Sequence, residues 1–576
     1  MKPANYRIVL GWYLLASLLA VVTYFYGLDG QHIPKNGDEY PYEHIVRLTA
    51  ASGDLLPLRS DLDNMRNTKP PLLFWQGIAS TNWGKDWSLW NLRYPSVIYT
   101  LLTALMLFML GKRLAGNAET GFIALLTFLA FFTTYRFGRP FLTNPPEVFW
   151  LFLPFFVLLY WKKSFESLLV VPLVLGVCVG IGFLYKSFAL ALPVSMALSA
   201  WYLHERKFNM SMFIRRDLFK VIVTLSVALM MFSLWFMLDP DPQAVWKEFV
   251  VGENVGKFNP HGPGYLQKLL WGGASIWSFA LAFITDAGLL TFPVGSLFFV
   301  AYKRRASMSG DERLLWIWIA VLFLSFCLPS QRSGRYMLDA MPALALLCAL
   351  NWGNISRRAF VATLVLSAAM LALFAYLAVR LQAGMDGTPI YGVSFWTLIA
   401  GAGMLALLAL SIPSLTRPVV NVVALFVLLS LAAFLRPLDG VLGNYDTAAQ
   451  RATTGKDVWV PCNFRAVDEG YRFLLPGAEI HGYSEDQSLA VSELSTRYPL
   501  FAAKVPLDFN LHEVACVGCE LLGKRLDIRS RHSSDELKQM FFEGKVFQLL
   551  FIKEILVASP EGEKMIVQQS LAQTCR

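Results

Sequence analysis

The sequence predicts a polytopic α-helical membrane protein of about thirteen transmembrane helices, followed by a small C-terminal α/β soluble domain. Three observations predict it. Of 576 residues, 55% are hydrophobic and only 16% charged, against about 25% charged in soluble domains. The apolar residues fall in runs long enough for the roughly 20 helical residues that a bilayer requires. From Arg436 onward charge returns and the apolar runs shorten to strand length. The net charge of +9 sits in small clusters at the ends of apolar runs. That pattern sets membrane topology and gives no expectation of a nucleic-acid partner.

Taken in order, spans are expected near 8–28, 94–111, 118–135, 142–161, 168–185, 187–204, 218–238, 274–302, 313–329, 336–353, 359–380, 393–413 and 417–435. The first run is long enough to span and no small-residue cleavage site follows it, so it reads as a helix rather than a cleaved signal. With the N-terminus in the cytoplasm beside Lys2 and Arg7, the inside loops hold Lys112-Arg113, Lys162-Lys163, Arg206-Lys207 with Arg215-Arg216, Lys303-Arg304-Arg305, Arg357-Arg358 and Arg417. Every inside loop is then basic, as the positive-inside rule requires. An odd number of spans leaves the C-terminus outside.

The membrane part is expected over 1–435, with two long outer loops at 29–93 and 239–273. Trp75, Trp83, Trp87 and Trp90 in the first suggest helices lying at the interface. The soluble domain is expected over 436–576, with strands at Asp457–Pro461 and Glu479–Tyr483 around a helix at Ala466–Leu474. Of seven cysteines, Cys178, Cys327 and Cys348 lie in apolar runs and read as packing residues. Cys516-Val-Gly-Cys519 has no second ligand pair, and an outer location favours disulfides. Pairing among Cys462, Cys516, Cys519 and Cys575 stays open.

The chemistry concentrates on the outer side. Asp38-Glu39 follow the first span, an acid pair in which one carboxylate can act as base and the other orient the site. Lys69 precedes Pro70-Pro71, which fix the start of a helix, so a cation and a helix N-terminus together favour a phosphate. Lys186, Arg332 and Arg335 lie outside, against the topology rule. An anionic headgroup or phosphate explains them. Tyr336 follows Arg335, and His261 sits in the loop Asn259-Pro-His-Gly-Pro-Gly-Tyr265. Each residue alone reads as a solvated end. Together, on one membrane face, they read as a site for an anionic substrate.

The motifs Gly37-Asp-Glu-Tyr40, Lys69-Pro-Pro-Leu-Leu-Phe-Trp75, Lys186 at a span junction, His261-x-Pro-x-Tyr265 and Arg335-Tyr-x-Leu-x-x-x-Pro342 recur in order. Over roughly residues 8–350 the chain resembles the superfamily of aminoarabinose (lipid A) transferases and protein O-mannosyltransferases, membrane glycosyltransferases of the GT-C fold. The resemblance implies an inverting transfer from an undecaprenyl-phosphate-linked sugar, with 4-amino-4-deoxy-L-arabinose a candidate. The acceptor would be lipid A or another glycan or protein of the periplasmic face of a bacterial inner membrane. It places Asp38 and Glu39 at the catalytic centre and Lys69, Lys186, Arg332, Arg335 and Tyr336 around the carrier phosphate. Members usually carry an acid where this chain has Asn144, with Glu147 three residues on as a substitute acceptor-orienting group. Relatives bind a metal through a Glu, at the place of Thr68, and a His matching His261. No cofactor is firmly expected, and a divalent metal at His261 is the one candidate. A lipid-linked-sugar flippase and a non-catalytic carrier-binding homologue are the alternative readings. No internal repeat of the kind transporters show is visible.

Overall fold

The computed structural model describes residues 3–32, 37–62, 65–257, 265–272, 275–329, 332–385, 389–484, 490–510, 518–529, 532–560 and 562. The N-terminal half runs through α1 (Pro3–Phe25), α2 (Glu39–Ser52), α3 (Leu72–Ser80), α4 (Leu89–Ala115), α5 (Ala118–Ala130), α6 (Phe132–Phe137), α7 (Asn144–Tyr160), α8 (Val170–Tyr185) and α9 (Ala191–Glu205). Long helices follow at Leu218–Leu238, Gly310–Cys327, Arg357–Ala383, Val393–Ser411 and Thr416–Leu435. Among the described residues, six helical stretches are long and apolar enough to cross a membrane, and four shorter apolar helices accompany them. α2 and α3 come from the loop after α1, so the described residues of this loop include two helices.

Two expected spans are broken. The run 274–302 divides into Ile276–Thr285 and Thr291–Arg304. The run 118–135 divides at Phe131, whose backbone is extended between α5 and α6. The breaks meet: Thr133 N–H donates to the Asp286 carbonyl at 3.0 Å. Gly288 has φ +63°, and a Cβ there would come within 2.5 Å of the Phe132 Cβ. Backbone groups freed by a break inside a membrane protein must find partners within the protein, and here each break supplies the other.

Close helix packing uses small residues. Gly176 and Gly180 of α8 face Leu218–Leu238 so closely that added Cβ atoms would meet Val227 at 2.7 Å and Met231 at 2.9 Å. This is the small-xxx-small spacing by which membrane helices approach. Buried arginines hold the end of α1. Arg139 Nε donates to the Tyr24 carbonyl at 2.9 Å, and Arg93 Nη1 donates to the Leu28 and Gly30 carbonyls at 3.0 and 2.5 Å. Arg139 satisfies a carbonyl that the helix C-terminus leaves open, and Arg93 holds the turn that follows.

The C-terminal part carries one mixed five-stranded sheet of order β2-β1-β3-β5-β4, with β1 Asp457–Cys462, β2 Glu479–Ser484, β3 Leu500–Val505, β4 Glu520–Ile528 and β5 Phe551–Ala558. β1 is parallel to β2 and β3, and β5 is antiparallel to β3 and β4. The segment expected to be one helix at 466–474 is a short 3-10 turn, Val467–Gly470, continued by the α-turn Tyr471–Leu474. Cys462 and Cys519 are disulfide-bonded. Cys516 and Cys575 lie outside the described residues, while Cys178, Cys327 and Cys348 are free thiols.

Candidate active site

The ends of several elements converge on one cavity of about 170 Å³, whose walls include Lys69, Asn144, Glu147, Lys186, Arg335 and Tyr336. Each arrives for a local reason. Pro70-Pro71 lead into α3 and stop Lys69 just ahead of it. Pro145-Pro146 start α7 and put Glu147 in its first turn, where the helix dipole favours a negative charge. Lys186 caps the C-terminus of α8, where the dipole favours a positive one. Arg335 and Tyr336 sit on the 3-10 turn Gly334–Ala340, ahead of the helix Met341–Leu350.

The cations are paired one to one. Lys69 Nζ is 3.1 Å from Glu253 Oε2 and donates to the Thr68 carbonyl at 2.8 Å. Lys186 Nζ meets Glu147 Oε2 at 2.5 Å. Arg335 Nη1 meets Asp38 Oδ2 at 2.5 Å. Asp38 occupies the N-cap position of α2 without capping it; its carboxylate turns toward Arg335 instead and is 43% exposed. Asn144 Nδ2 donates to Glu147 Oε2 at 3.3 Å, and Ser187 Oγ donates to Asn254 Oδ1 at 2.6 Å. Tyr42, buried on α2, has its hydroxyl pushed up by burial and by the neighbouring Asp38 carboxylate, so it is a neutral donor.

Glu39 is placed differently. It is buried, takes Nε and Nη2 of Arg93 at 2.8 and 3.0 Å, and accepts the Phe141 N–H at 2.7 Å. Its lone pairs are committed to joining α2, α4 and the chain before α7. Arg332 donates through Nε to the Cys327 carbonyl at 2.9 Å and lies 6.0 Å from the centre of the Tyr265 ring; it is not among the residues lining the cavity. His261 lies outside the described residues. At Thr68, where the resemblance implied a metal-ligating Glu, the hydroxyl is 3.5 Å from Glu253 Oε1 while the Lys69 ammonium holds the other oxygen of that carboxylate. A neutral hydroxyl and an already neutralised carboxylate make a poor donor set for a divalent ion, so among the described residues this corner does not fit a metal.

Two site groups escaped the sequence reading: Glu253 and Asp339, which also line the cavity. Asp339 carried a signal, since an acid inside an apolar run is a functional-site hypothesis by default. Glu253, in a polar loop, had none.

The chain is similar to proteins of known class. The family of dolichyl-phosphate-mannose-protein mannosyltransferases matches residues 68–237, the stretch that supplies Lys69, Glu147 and Lys186. The undecaprenyl phosphate-alpha-4-amino-4-deoxy-L-arabinose arabinosyl transferase 2 of Proteus mirabilis (strain HI4320) is 27% identical over 347 residues, 58% of this chain and 58% of its own length. The corresponding transferase of Pseudomonas savastanoi pv. phaseolicola (strain 1448A / Race 6) is 28% identical over 347 residues, 59% of this chain and 60% of its own. The chain thus spans under two thirds of the length of these curated relatives. The crystal structure of ArnT from Cupriavidus metallidurans bound to undecaprenyl phosphate superposes with TM-score 0.60 at 17% identity, covering 95% of this chain and 98% of that one. The class is therefore a polytopic membrane protein of the GT-C fold. Within it, the chain is similar over residues 68–237 to the mannosyltransferase family, over more than half its length to aminoarabinose transferases, and in fold to the ArnT structure.

Proposed function

We propose that this chain is an inverting membrane glycosyltransferase that moves a sugar from undecaprenyl phosphate to lipid A or another envelope glycan, with 4-amino-4-deoxy-L-arabinose the candidate sugar. One observation carries the reading: three cations converge on a single cavity, each held by one carboxylate that an incoming phosphate can replace. The names of the relatives and the ligand of the solved ArnT structure support the carrier. Residues 1–435 would form the transferase and 436–576 a periplasmic domain, with the N-terminus in the cytoplasm of a bacterial inner membrane.

In this reading an acceptor oxygen attacks the anomeric carbon while the bond from that carbon to the carrier phosphate breaks. The bonding pair leaves with the phosphate, whose growing charge Lys69, Lys186 and Arg335 stabilise, with Tyr336 beside them. Asp38 takes the proton of a hydroxyl acceptor. With an ionised phosphate as acceptor no proton moves, and Asp38 orients the nucleophile. Glu147 and Asn144 steady Lys186 at the opposite wall. Glu39 supports the start of α2, and Arg332 supports the turn before Arg335.

Mass spectrometry of envelope glycolipids tests this. Deleting the gene is expected to remove one sugar modification, and Asp38→Ala to remove the same one. A modification lost on deletion but kept by Asp38→Ala takes Asp38 out of the reaction. No glycan change on deletion ends the enzyme reading.

A further inference from the structure

Three cations and three acids line the cavity, and Asp38, outside its walls, answers Arg335, so the mismatch is local. Glu253 answers Lys69 and Asp38 answers Arg335. That leaves Lys186, paired with Glu147, in a cavity wall that also holds Asp339, the two acids being buried at 1% and 4% exposed. Other groups near this corner are the Asn144 amide, the Ser325 and Tyr336 hydroxyls and, across the cavity, Lys69, Glu253 and Arg335. Of these, Asn144 donates to Glu147 Oε2, the oxygen that also takes Lys186. Asp339 is held in place through its backbone, whose carbonyl accepts Trp318 Nε1 at 2.9 Å. Its Oδ1 is buried without a hydrogen-bond partner.

A buried carboxyl that shares one lysine with a second acid favours its neutral form. An uncompensated buried ion costs several kcal/mol, and one shared proton removes it. Resting on the carrier-phosphate reading above, we propose that Asp339 is a positioning residue that holds a proton against Glu147 and thereby releases Lys186 to bind an anionic phosphate. When Lys186 turns from Glu147 to the phosphate, Glu147 keeps the Asn144 amide and gains the Asp339 O–H. It is then neither left as an orphan anion nor set against the arriving charge. The covalent reaction is untouched by this step, because the proton stays within the pair. Loss of the proton at high pH leaves two anions competing with the phosphate for one ammonium.

The test is binding of undecaprenyl phosphate to the full-length protein in detergent, titrated from about pH 6 to about pH 9, together with the infrared band of protonated carboxyl groups. Wild-type affinity is expected to fall by tenfold or more, about 1.4 kcal/mol, as the pair loses its proton. Asp339→Asn always presents a donor to Glu147, and its affinity is expected to change by no more than the ionisation of the phosphate itself dictates. Asp339→Glu should restore the wild-type profile. The same profile for wild type and Asp339→Asn overturns the proposal. If Asp339→Asn does not fold, Glu147→Gln reads the same pair: the wild-type infrared band should disappear in it, and a spectrum without such a band in the wild type also overturns the proposal. Absence of undecaprenyl phosphate binding at every pH would instead refute the carrier reading, while the infrared band still reports on the proton.

Discussion

Carboxylates bind cations in two ways in this molecule. Where α2 meets the C-terminal part, Glu469 is fully buried and takes His44 Nδ1 at 2.7 Å, Arg47 Nη2 and Nε at 2.6 and 3.0 Å, and Arg472 Nε at 3.0 Å. Glu39 with Arg93, and Glu554 with Arg525, Tyr445 and Tyr471, repeat the pattern. In the cavity, Lys69, Lys186 and Arg335 hold one carboxylate each and keep part of their surface open, 15%, 18% and 25%. The first kind is saturated and fixes geometry. The second is exchangeable and suits a ligand. Proximity of opposite charges does not separate the two; an arginine gripping the carboxylate through both Nε and Nη2, as at Glu469, Glu39 and Glu554, does.

Substitutions can break that contrast. The largest effect is expected for Glu469→Ala, which strands His44, Arg47 and Arg472 around a vacated buried position. Removing one partner of a buried charge network costs about 3–5 kcal/mol, so a sharply lowered melting temperature or failed expression in detergent is expected. A melt like that of the wild type would show that the latch does not hold α2. Lys186→Ala is expected to act the other way round. The fold survives within a few degrees, while transfer falls by roughly a hundredfold or more, as for loss of a preorganised charge at a transition state. Unchanged turnover in glycolipid analysis would place Lys186 in the structure only. Lys69→Ala should weaken use of the donor at limiting concentration with less effect at saturation. Equal transfer at low donor removes it from the site.

The smallest effect is a pH dependence of the latch. Burial alone would lower the His44 imidazole, but the Asp61 and Glu469 carboxylates at its two nitrogens outweigh burial and hold it above the ordinary 6.5. Burial alone would raise Glu469, but His44 and Arg47 outweigh it and hold the carboxyl well below 4.5. The His44 contribution is therefore complete below pH 6.5 and lost as pH rises through its raised value. The Glu469 contribution is complete above pH 4.5 and lost only as pH falls through its lowered value. Both are present between pH 4.5 and 6.5. Melting temperature should decline on the alkaline side of that window, and His44→Gln should flatten the decline. An equal alkaline decline in both proteins would assign it elsewhere.

Much of the site was legible before folding. Lys186 and Arg335 stood out as cations on the side that topology rules deplete, and Pro70-Pro71 marked a helix start behind Lys69. Asp38 and Glu39 were adjacent and indistinguishable in sequence. Their helical placement separates them, since at the start of α2 neighbouring side chains point about 100° apart. Glu39 therefore points inward to Arg93 and Asp38 points to Arg335. The breaks at Phe131 and Gly288 were invisible because the contact that joins them is between residues far apart along the chain.

By itself the sequence determined what short-range chemistry dictates: the apolar runs and the proline-marked helix starts. Length and hydropathy need no partner to be read. Tertiary structure alone decided which carboxylate answers which cation. Glu253 reaches Lys69 across 184 residues and Arg335 reaches Asp38 across 297. A charge pair is a matter of a few ångströms in space, and no spacing along the chain encodes that distance.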